Sequence, residues 1–416
     1  MKILWVCPFF LHPTDRGAQI RTLGTLKQLS RRHEIHFAAL NDPANLEGPS
    51  RAPEYSARSF SVAHAAPSRR SLAILPQLVR SLFDPVPIAV SRYKSAELRR
   101  LIGNLMASEH YDAVVCDFLA AAPNVPDLSE AVLFQHNVET TIWQRHAAQS
   151  AGLAKKFYTQ LQARKMEAYE RTVCRQSRHV IAVSEIDAIR MNSMFGIDTV
   201  TAVRTGVDVD YFAPPAAATP SAAAYSADIV FCGSMDWLPN TDAVLYFMAE
   251  ILPLIRARIP GATFTIAGRS PEASVLKAAQ PIPGVNVTGK VDDMRPYLWG
   301  AKISIVPIRI GGGTRLKIYE CFAAGLATVS TTVGAEGLRY TENADILIAD
   351  QPQAFADACI YLLLDEGARQ SIARNALHLV QSELSWAAVS RDFEEILVRN
   401  RLTAHEAAPA LTGTPA

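Results

Sequence analysis

Apolar residues come along this chain in short unbroken runs, and the runs recur between stretches of helical periodicity. In the first half they predict strands at Lys2–Cys7, His33–Leu40, Ser59–Ala63, Asp112–Asp117, Ala131–Gln135, His179–Ser184 and Thr199–Arg204. Helices are expected at Ala18–Arg32, at Leu153–Arg175 and from Glu185 to Phe195. The pattern restarts with strands at Asp228–Cys232, Ala262–Gly268, Val285–Val291, Ile303–Pro307, Ala327–Thr331 and Ile346–Ala349. Its helices open at Pro239 or Asn240 and then cover Arg315–Ala324, Asp350–Leu364, Glu366–Ser382 and Trp386–Arg399. Strand and helix alternating in this way is the signature of doubly wound α/β domains with parallel sheets. Between the halves lies PPAAATPSAAAYS, Pro214 to Ser226, which has no packing pattern and reads as a linker. The expected organisation is therefore a first domain at 1–213, a linker at 214–226, a second domain at 227–383, a closing helix at 384–402 and a disordered tail at 403–416. Residues Ser71 to Leu105 read as two helices split by Asp84-Pro85-Val86-Pro87. Leu72, Leu75, Leu78, Val79, Leu82 and Phe83 make an apolar face there, which either packs on the domain or meets a membrane or acceptor.

Composition narrows the class. A chain of 416 residues with net charge +1 and 19% charged residues has ample core and no global field for nucleic acid. Six scattered cysteines without a C-x-x-C fit buried hydrophobes in a reducing compartment. MKILWVCP is too short an apolar run for a signal peptide, and no run of about 18 apolar residues suggests a membrane span. A cytoplasmic protein is expected, with peripheral contact at the inner face of a membrane left open.

Candidate chemistry concentrates at Ile303 to Leu338, where a strand, three glycines, a helix and another strand follow one another. Ligands of open parallel sheets bind outside the carboxyl ends of the strands. A glycine loop at a helix start offers N–H groups and the positive end of a dipole to phosphate, and Arg309, Arg315 and Lys317 add charge. Thr314 is the expected N-cap, and Gly325 the closing residue. Two readings stand on this pattern: a phosphate site, or a plain connection in which Lys317 and Glu320 form a surface pair of about 0.3 kcal/mol. Gly17 before the first helix and His136 just past a strand end occupy ligand-facing positions in the first half; each also has an ordinary structural reading.

Together these segments resemble the retaining glycosyltransferases of family four, which have the GT-B fold: two Rossmann-like domains facing a cleft, with a final helix crossing back. GGGTRLKIYECFAAGLATVSTTVGAEGL resembles the donor segment, in its GGGTRLK form. Glu320 matches the family's second glutamate, which binds ribose hydroxyls; Gly312 stands where the first glutamate is usual, and the N–H groups of Thr314, Arg315 and Leu316 are its expected replacement. The loop at Gly17 resembles the family's N-terminal glycine loop, FQHNVET around His136 the segment whose histidine faces the donor sugar, and TGVDVDYF the domain-closing segment, with Arg204-Thr205 in place of Pro-Asn. The resemblance implies a nucleotide-diphosphate sugar donor. His136, Arg315, Lys317 and Glu320 would act at the reaction, and Gly17, Gly233, Ser234, Arg269, Val291, Gly312, Gly313, Thr314 and Leu316 would bind the donor. The Arg and Lys usual after the strand that ends at Cys232 are absent, so Arg269, Arg315 and Lys317 are the expected cations. Asp208-Val209-Asp210 has metal spacing but matches the closing segment, so neither metal nor other cofactor is expected. A saccharide or lipid-linked acceptor of exopolysaccharide assembly, and retention of configuration, complete the expectation. A GT-B epimerase and a degenerate nucleotide-sugar-binding scaffold are the alternatives.

Overall fold

Strands apolar along their whole length must be covered on both faces, which parallel sheets wrapped by helices achieve. The computed structural model describes residues 1–14, 17–65, 75–150, 152–215, 225–311 and 315–406, and there the chain forms two such sheets. Its contacts divide it into two units, Met1–Arg204 with Val389–Ala416, and Thr205–Ala388.

The first unit holds seven parallel strands, β1 (Lys2–Cys7), β2 (Glu34–Asn41), β3 (Arg58–Ala63), β4 (Ala113–Asp117), β5 (Ala131–Phe134), β6 (His179–Ala182) and β7 (Val200–Ala202). Their order is β3-β2-β1-β4-β5-β6-β7, so successive connections turn in opposite directions at β1 and β4. Trp5, Phe37 and Phe134 are fully buried on one face of the sheet, and Leu4, Val6 and Leu133 on the other join Met166 and Val173 of the helix Leu153–Gln176. The helix Trp386–Glu406 joins this core from residue 389 onward. Its Phe393 stacks on Trp5 at 5.5 Å and meets Phe134 edge-on at 5.0 Å, and its Glu394 binds Arg32 (2.6 Å) and His33 (2.7 Å).

The second unit holds β8 (Ala227–Cys232), β9 (Phe264–Ala267), β10 (Val285–Val287), β11 (Ala301–Val306), β12 (Ala327–Ser330) and β13 (Leu347–Ile348), in the order β10-β9-β8-β11-β12-β13. Here the direction of winding reverses between β8 and β11. Phe231, Phe247, Phe264, Phe322 and Phe355 fill its core.

Several bounds differ from the sequence pattern. The division after Arg204 precedes the expected first-domain end at 213. The reason is tertiary: Val207 N–H donates to Leu384 O (2.8 Å), Trp299 Nε1 donates to Phe212 O (2.8 Å), and Arg295 stacks on Tyr211 at 4.1 Å. Residues Thr205 to Ala213 thus pack on the second sheet. The apolar stretch around residue 80 forms helices Leu75–Phe83, Ile88–Ser91 and Ala96–Ser108 rather than two, because Ser95 starts a new one by accepting from Leu98 N–H. β10 ends at Val287, four residues early, since Gly289 (φ +71°) turns the chain. All six cysteines are buried and free. Leu72, most of the 214–226 linker, the glycine-loop residues Gly312, Gly313 and Thr314, and the tail from 407 lie outside the described residues.

Candidate functional site

In the second unit the reversal of winding puts the ends of β8 and β11 side by side, where a parallel sheet opens a crevice. Gly233 and Ser234 leave β8 with no room to spare. A Cβ on Gly233 would lie 2.6 Å from Lys317 Nζ and 2.8 Å from Asn240 Nδ2, and one on Gly268 would lie 1.9 Å from Gly233 O. The loops after β8 and β9 are therefore in backbone contact, tied by Gly233 N–H to Ala267 O and Met235 N–H to Arg269 O, each 2.9 Å. Arg269 returns a hydrogen bond from Nε to Ser234 Oγ at 3.0 Å. The loop after β10, which carries half-buried Val291, joins the same end where Gly268 N–H donates to Thr288 Oγ1 at 3.4 Å.

β11 brings the cations. Arg309 is committed elsewhere, in a bidentate pair with Asp242 (2.8 and 3.1 Å) over the Tyr246 ring. Arg315 precedes the helix Leu316–Ala323, is buried, and stands 4.9 Å over Trp237, which is 40% exposed. Leu316 is that helix's first residue, and Gly325 (φ +73°) closes it. Lys317 does not form the surface pair. Its Nζ donates to Asn240 Oδ1 (2.7 Å) and sits 4.3 Å over the Phe231 ring, while Asn240 Nδ2 donates to Ser234 O (2.8 Å). Burial lowers its pKa to about 8, opposed by Cys232 and Glu320. Glu320, half-buried one turn along, accepts no side-chain hydrogen bond from any described residue, and burial raises its pKa against the pull of Lys317. The end of this sheet thus offers a cation, a carboxylate without a hydrogen-bonding side chain among the described residues, and a helix N-terminus.

The first unit's reversal point, between β1 and β4, is built differently. Asp117 ends β4 fully buried and accepts from Trp5 Nε1 (3.0 Å), Thr22 Oγ1 (2.8 Å) and His136 Nε2 (2.7 Å). Arg21 donates to His136 Nδ1 at 3.1 Å. Arginine can only donate, so Nδ1 accepts and the ring proton sits on Nε2, facing Asp117. Burial lowers the His136 pKa, with Asp117 pulling upward and Arg21 downward. Both ring nitrogens are taken within the unit. The turn carrying His136 is clamped from the long helix Leu153–Gln176. There Glu170 accepts from Glu139 N–H (3.0 Å), Thr140 N–H (2.7 Å), Thr140 Oγ1 (2.6 Å) and Gln135 Nε2 (2.9 Å). The mixed charges of that helix read as a solvated face, yet Glu170 is fully buried, and burial lifts its pKa to about 7 against those bonds. Gly17 is exposed at the start of its helix. Neither Glu170 nor the partnership of Asn240 with Lys317 leaves a local signal in the sequence; the acid at the end of β4 is the visible trace of the Asp117 network.

Two families match the chain. Residues 16–211 match glycosyltransferase family 4, and residues 226–365 match glycosyl transferases group 1. A protein of Klebsiella pneumoniae, described as an uncharacterized 44.6 kDa protein in cps region, is 23% identical over 164 residues, 38% of this chain. The chain spans 42% of the length of that curated relative. In structure the chain is similar to sucrose-phosphate synthase from Thermosynechococcus elongatus, with a TM-score of 0.69 at 15% identity over 97% of this chain and 99% of that one. It is similar as well to Alr3699/HepE of Anabaena, solved in complex with UDP, with a TM-score of 0.66 at 12% identity over 96% of this chain and all of that one (100%). At these identities the likeness is one of fold.

Proposed function

We propose that this chain, whose two Rossmann-like units of the GT-B fold class match glycosyltransferase family 4 and glycosyl transferases group 1, transfers a sugar from a nucleotide-diphosphate donor to a saccharide or lipid-linked acceptor. The observation that carries the reading is that half-buried Lys317, held by Asn240, and half-buried Glu320, a carboxylate that accepts no hydrogen bond from a described side chain, stand one turn apart in the helix that follows β11. An anion and a diol are what these two groups would bind, and a nucleotide diphosphate supplies both.

In this reading the diphosphate lies against Gly233 and Ser234. Close approach is possible there because Gly233 has no side chain, and Lys317, Arg315 and Arg269 supply the charge. Glu320 accepts from the ribose hydroxyls, since a carboxylate can take both hydroxyls of a cis-diol. The backbone near Val291 receives the base. The N–H group of Leu316, first in its helix, faces the phosphate that gains charge as the bond to the sugar breaks. Donors fixed in advance stabilise that charge without reorganising. Departure of the nucleotide diphosphate and attack by the acceptor on the same face would retain configuration. No metal is required by this arrangement of cations and N–H donors. His136 has both nitrogens committed, so its part is to position the turn after β5 and the ring of Phe118, on which it stacks at 4.1 Å. The Anabaena neighbour's complex with UDP supports a uridine donor, and the Klebsiella relative's place in a cps region supports an exopolysaccharide intermediate as acceptor.

The test is a panel of UDP-, GDP- and ADP-sugars. The matching donor should raise the melting temperature, because a ligand that binds only the native state stabilises it. With lipid-extract acceptors added, the sugar should be incorporated into acceptor. Conversion of donor alone to its epimer would establish the epimerase instead, and binding with no turnover under either condition would establish the scaffold.

A further inference from the structure

Single apolar side chains are common on protein surfaces, but large ones gathered in one place mark an interaction. The helix Leu75–Phe83 exposes Val79 (58%) and Phe83 (84%), and the first turns of the helix Leu153–Gln176 expose Leu153 (90%) and Phe157 (67%). Each pair is spaced by four residues, so its members share one face of their helix, and Arg164 follows Phe157 on the same face two turns on. The two helices are joined. Ser81 Oγ shares a hydrogen bond with Tyr158 Oη at 2.9 Å, and Gln162 Nε2 donates to Ser81 O at 3.2 Å. Lys165 Nζ donates to the carbonyls of Ser81, Leu82 and Asp84 at 2.8, 2.9 and 2.7 Å. The residue next to Tyr158 is Phe157, and Val79 and Phe83 flank Ser81, so both apolar pairs border one junction.

Charge beside these pairs has a single sign. Residues 76–83 and 153–166 contain no Asp or Glu. Arg80, Lys155, Lys156 and Arg164 are exposed there, and none of the four forms an ion pair among the described residues. The acids that follow in sequence are occupied: Asp84 accepts from Val86 N–H (2.9 Å), and Glu167 pairs with Arg171 (2.7 Å). The mixed charge of the long helix is therefore segregated along its length, with Glu167 and Glu170 both in the second half. The whole chain has a net charge of only +1, so this excess of cations is local.

An occupant must meet apolar groups and cations together. A second copy of this chain, docked about a two-fold axis, would set the cations against their own images. A bilayer with anionic headgroups meets both demands: Phe and Leu side chains enter the acyl boundary, while the long Lys and Arg side chains reach the phosphates. No helix among the described residues is long and apolar enough to cross a membrane, and this face would lie along one.

We propose that this two-helix face docks the chain on an anionic lipid bilayer, with Phe83 and Phe157 inserted and Arg80, Lys155, Lys156 and Arg164 on the headgroups. The proposal stands on this surface alone and does not rest on the donor reading.

The experiment is cosedimentation of the full chain with vesicles of phosphatidylcholine alone and of phosphatidylcholine with about one-third phosphatidylglycerol, at about 0.1 M salt. Binding to the anionic vesicles should be at least tenfold tighter than to the neutral ones. Two double variants, Phe83→Ser with Phe157→Ser and Lys155→Glu with Lys156→Glu, should each weaken it tenfold or more. All four side chains are exposed, so the melting temperature should stay at the wild-type value, and Phe157→Ser alone serves if its double variant does not fold. Equal binding to both kinds of vesicle, no binding to either, or variants that bind as the wild type does would each overturn the proposal. So would a dimer in solution that the Phe83→Ser, Phe157→Ser variant abolishes, since a second copy would then cover the face. Thermal stabilisation by UDP, GDP and ADP is read on the same samples and should be equal in variants and wild type; its loss together with vesicle binding would count against a separate docking face. Vesicle binding by a wild-type chain that no nucleotide stabilises would defeat the donor reading and leave the docking face standing.

Discussion

The two sheets reverse their winding at β1/β4 and at β8/β11, and each places charged groups there, but to opposite ends. At β1/β4 the charges satisfy one another. Asp117 takes three hydrogen bonds, and His136 gives one and receives one, so the network is complete without a ligand. At β8/β11 the accounting stays open. Lys317 has Asn240 as its hydrogen-bonding side chain, and Glu320 has none among the described residues. A buried polar set that is fully paired holds a fold in one arrangement, while one left with spare valence is poised for a ligand. The difference shows why proximity to a strand end is not enough to assign a role: His136, past the end of β5, and Lys317, in the helix after β11, both lie near a reversal point, and their partners separate them.

The sharpest way to break this contrast is at Asp117. Asp117→Ala would leave Trp5, Thr22 and His136 without their acceptor. Removal of one member of a buried pair costs about 3–5 kcal/mol. The first unit's melting transition should fall by many degrees while UDP affinity measured at low temperature stays near wild type. A stable variant that has lost UDP binding would place Asp117 at the ligand instead.

Glu320 comes next. Glu320→Ala should weaken the matching nucleotide by about 1.5–3 kcal/mol, the range for hydrogen bonds to charged groups, with no loss of melting temperature. Calorimetry with the ribose and 2′-deoxyribose forms decides its partner. The loss should be smaller for the deoxy form, and equal losses would remove the ribose assignment.

A gentler probe is pH. Lys317 titrates at about 8 in the folded chain against an ordinary 10.5, so it is charged below about 8 and progressively neutral above. Nucleotide-diphosphate affinity should therefore decline as pH rises past 8, and Lys317→Arg should abolish the decline because arginine keeps its charge. The same shift acts on stability in the reverse sense. Between about 8 and 10.5 the unfolded chain holds the proton and the folded chain does not, so the cost of burying the charge is full below 8 and is relieved as pH rises. A pH-independent affinity across this range would mean that Lys317 does not meet phosphate. The smallest effect is expected from chelation: turnover with the matching donor should be the same with and without EDTA, and a loss restored by Mg²⁺ or Mn²⁺ would require a metal role that these residues do not provide for.

Much of this was readable in the chain. The helix Glu366–Ser382 and β1 fall where periodicity puts them, and Gly325 ends its helix as an αL residue should. Lys317 and Glu320 stand out in sequence because they follow a glycine loop. What they do was not readable. A three-residue spacing suggests that they pair with each other, but Lys317 bonds Asn240, 77 positions away, across the ring of Phe231.

The amino-acid sequence by itself determined the alternation of strands and helices, the two-sheet fold class and the placing of glycines at strand ends, since each depends on neighbours a few residues apart. Only the tertiary structure decided which charges are spent and which are spare. Glu170 reads as one more charge on a solvated helix, yet it is buried under four donors brought from the turn after β5. His136 reads as a ligand-facing residue, yet the packing of β1, β4 and the helix Gly17–Leu29 occupies both its nitrogens. Hydrogen-bonding capacity belongs to the residue, but whether it is met depends on groups far off in sequence, and those are brought together only when the sheets form.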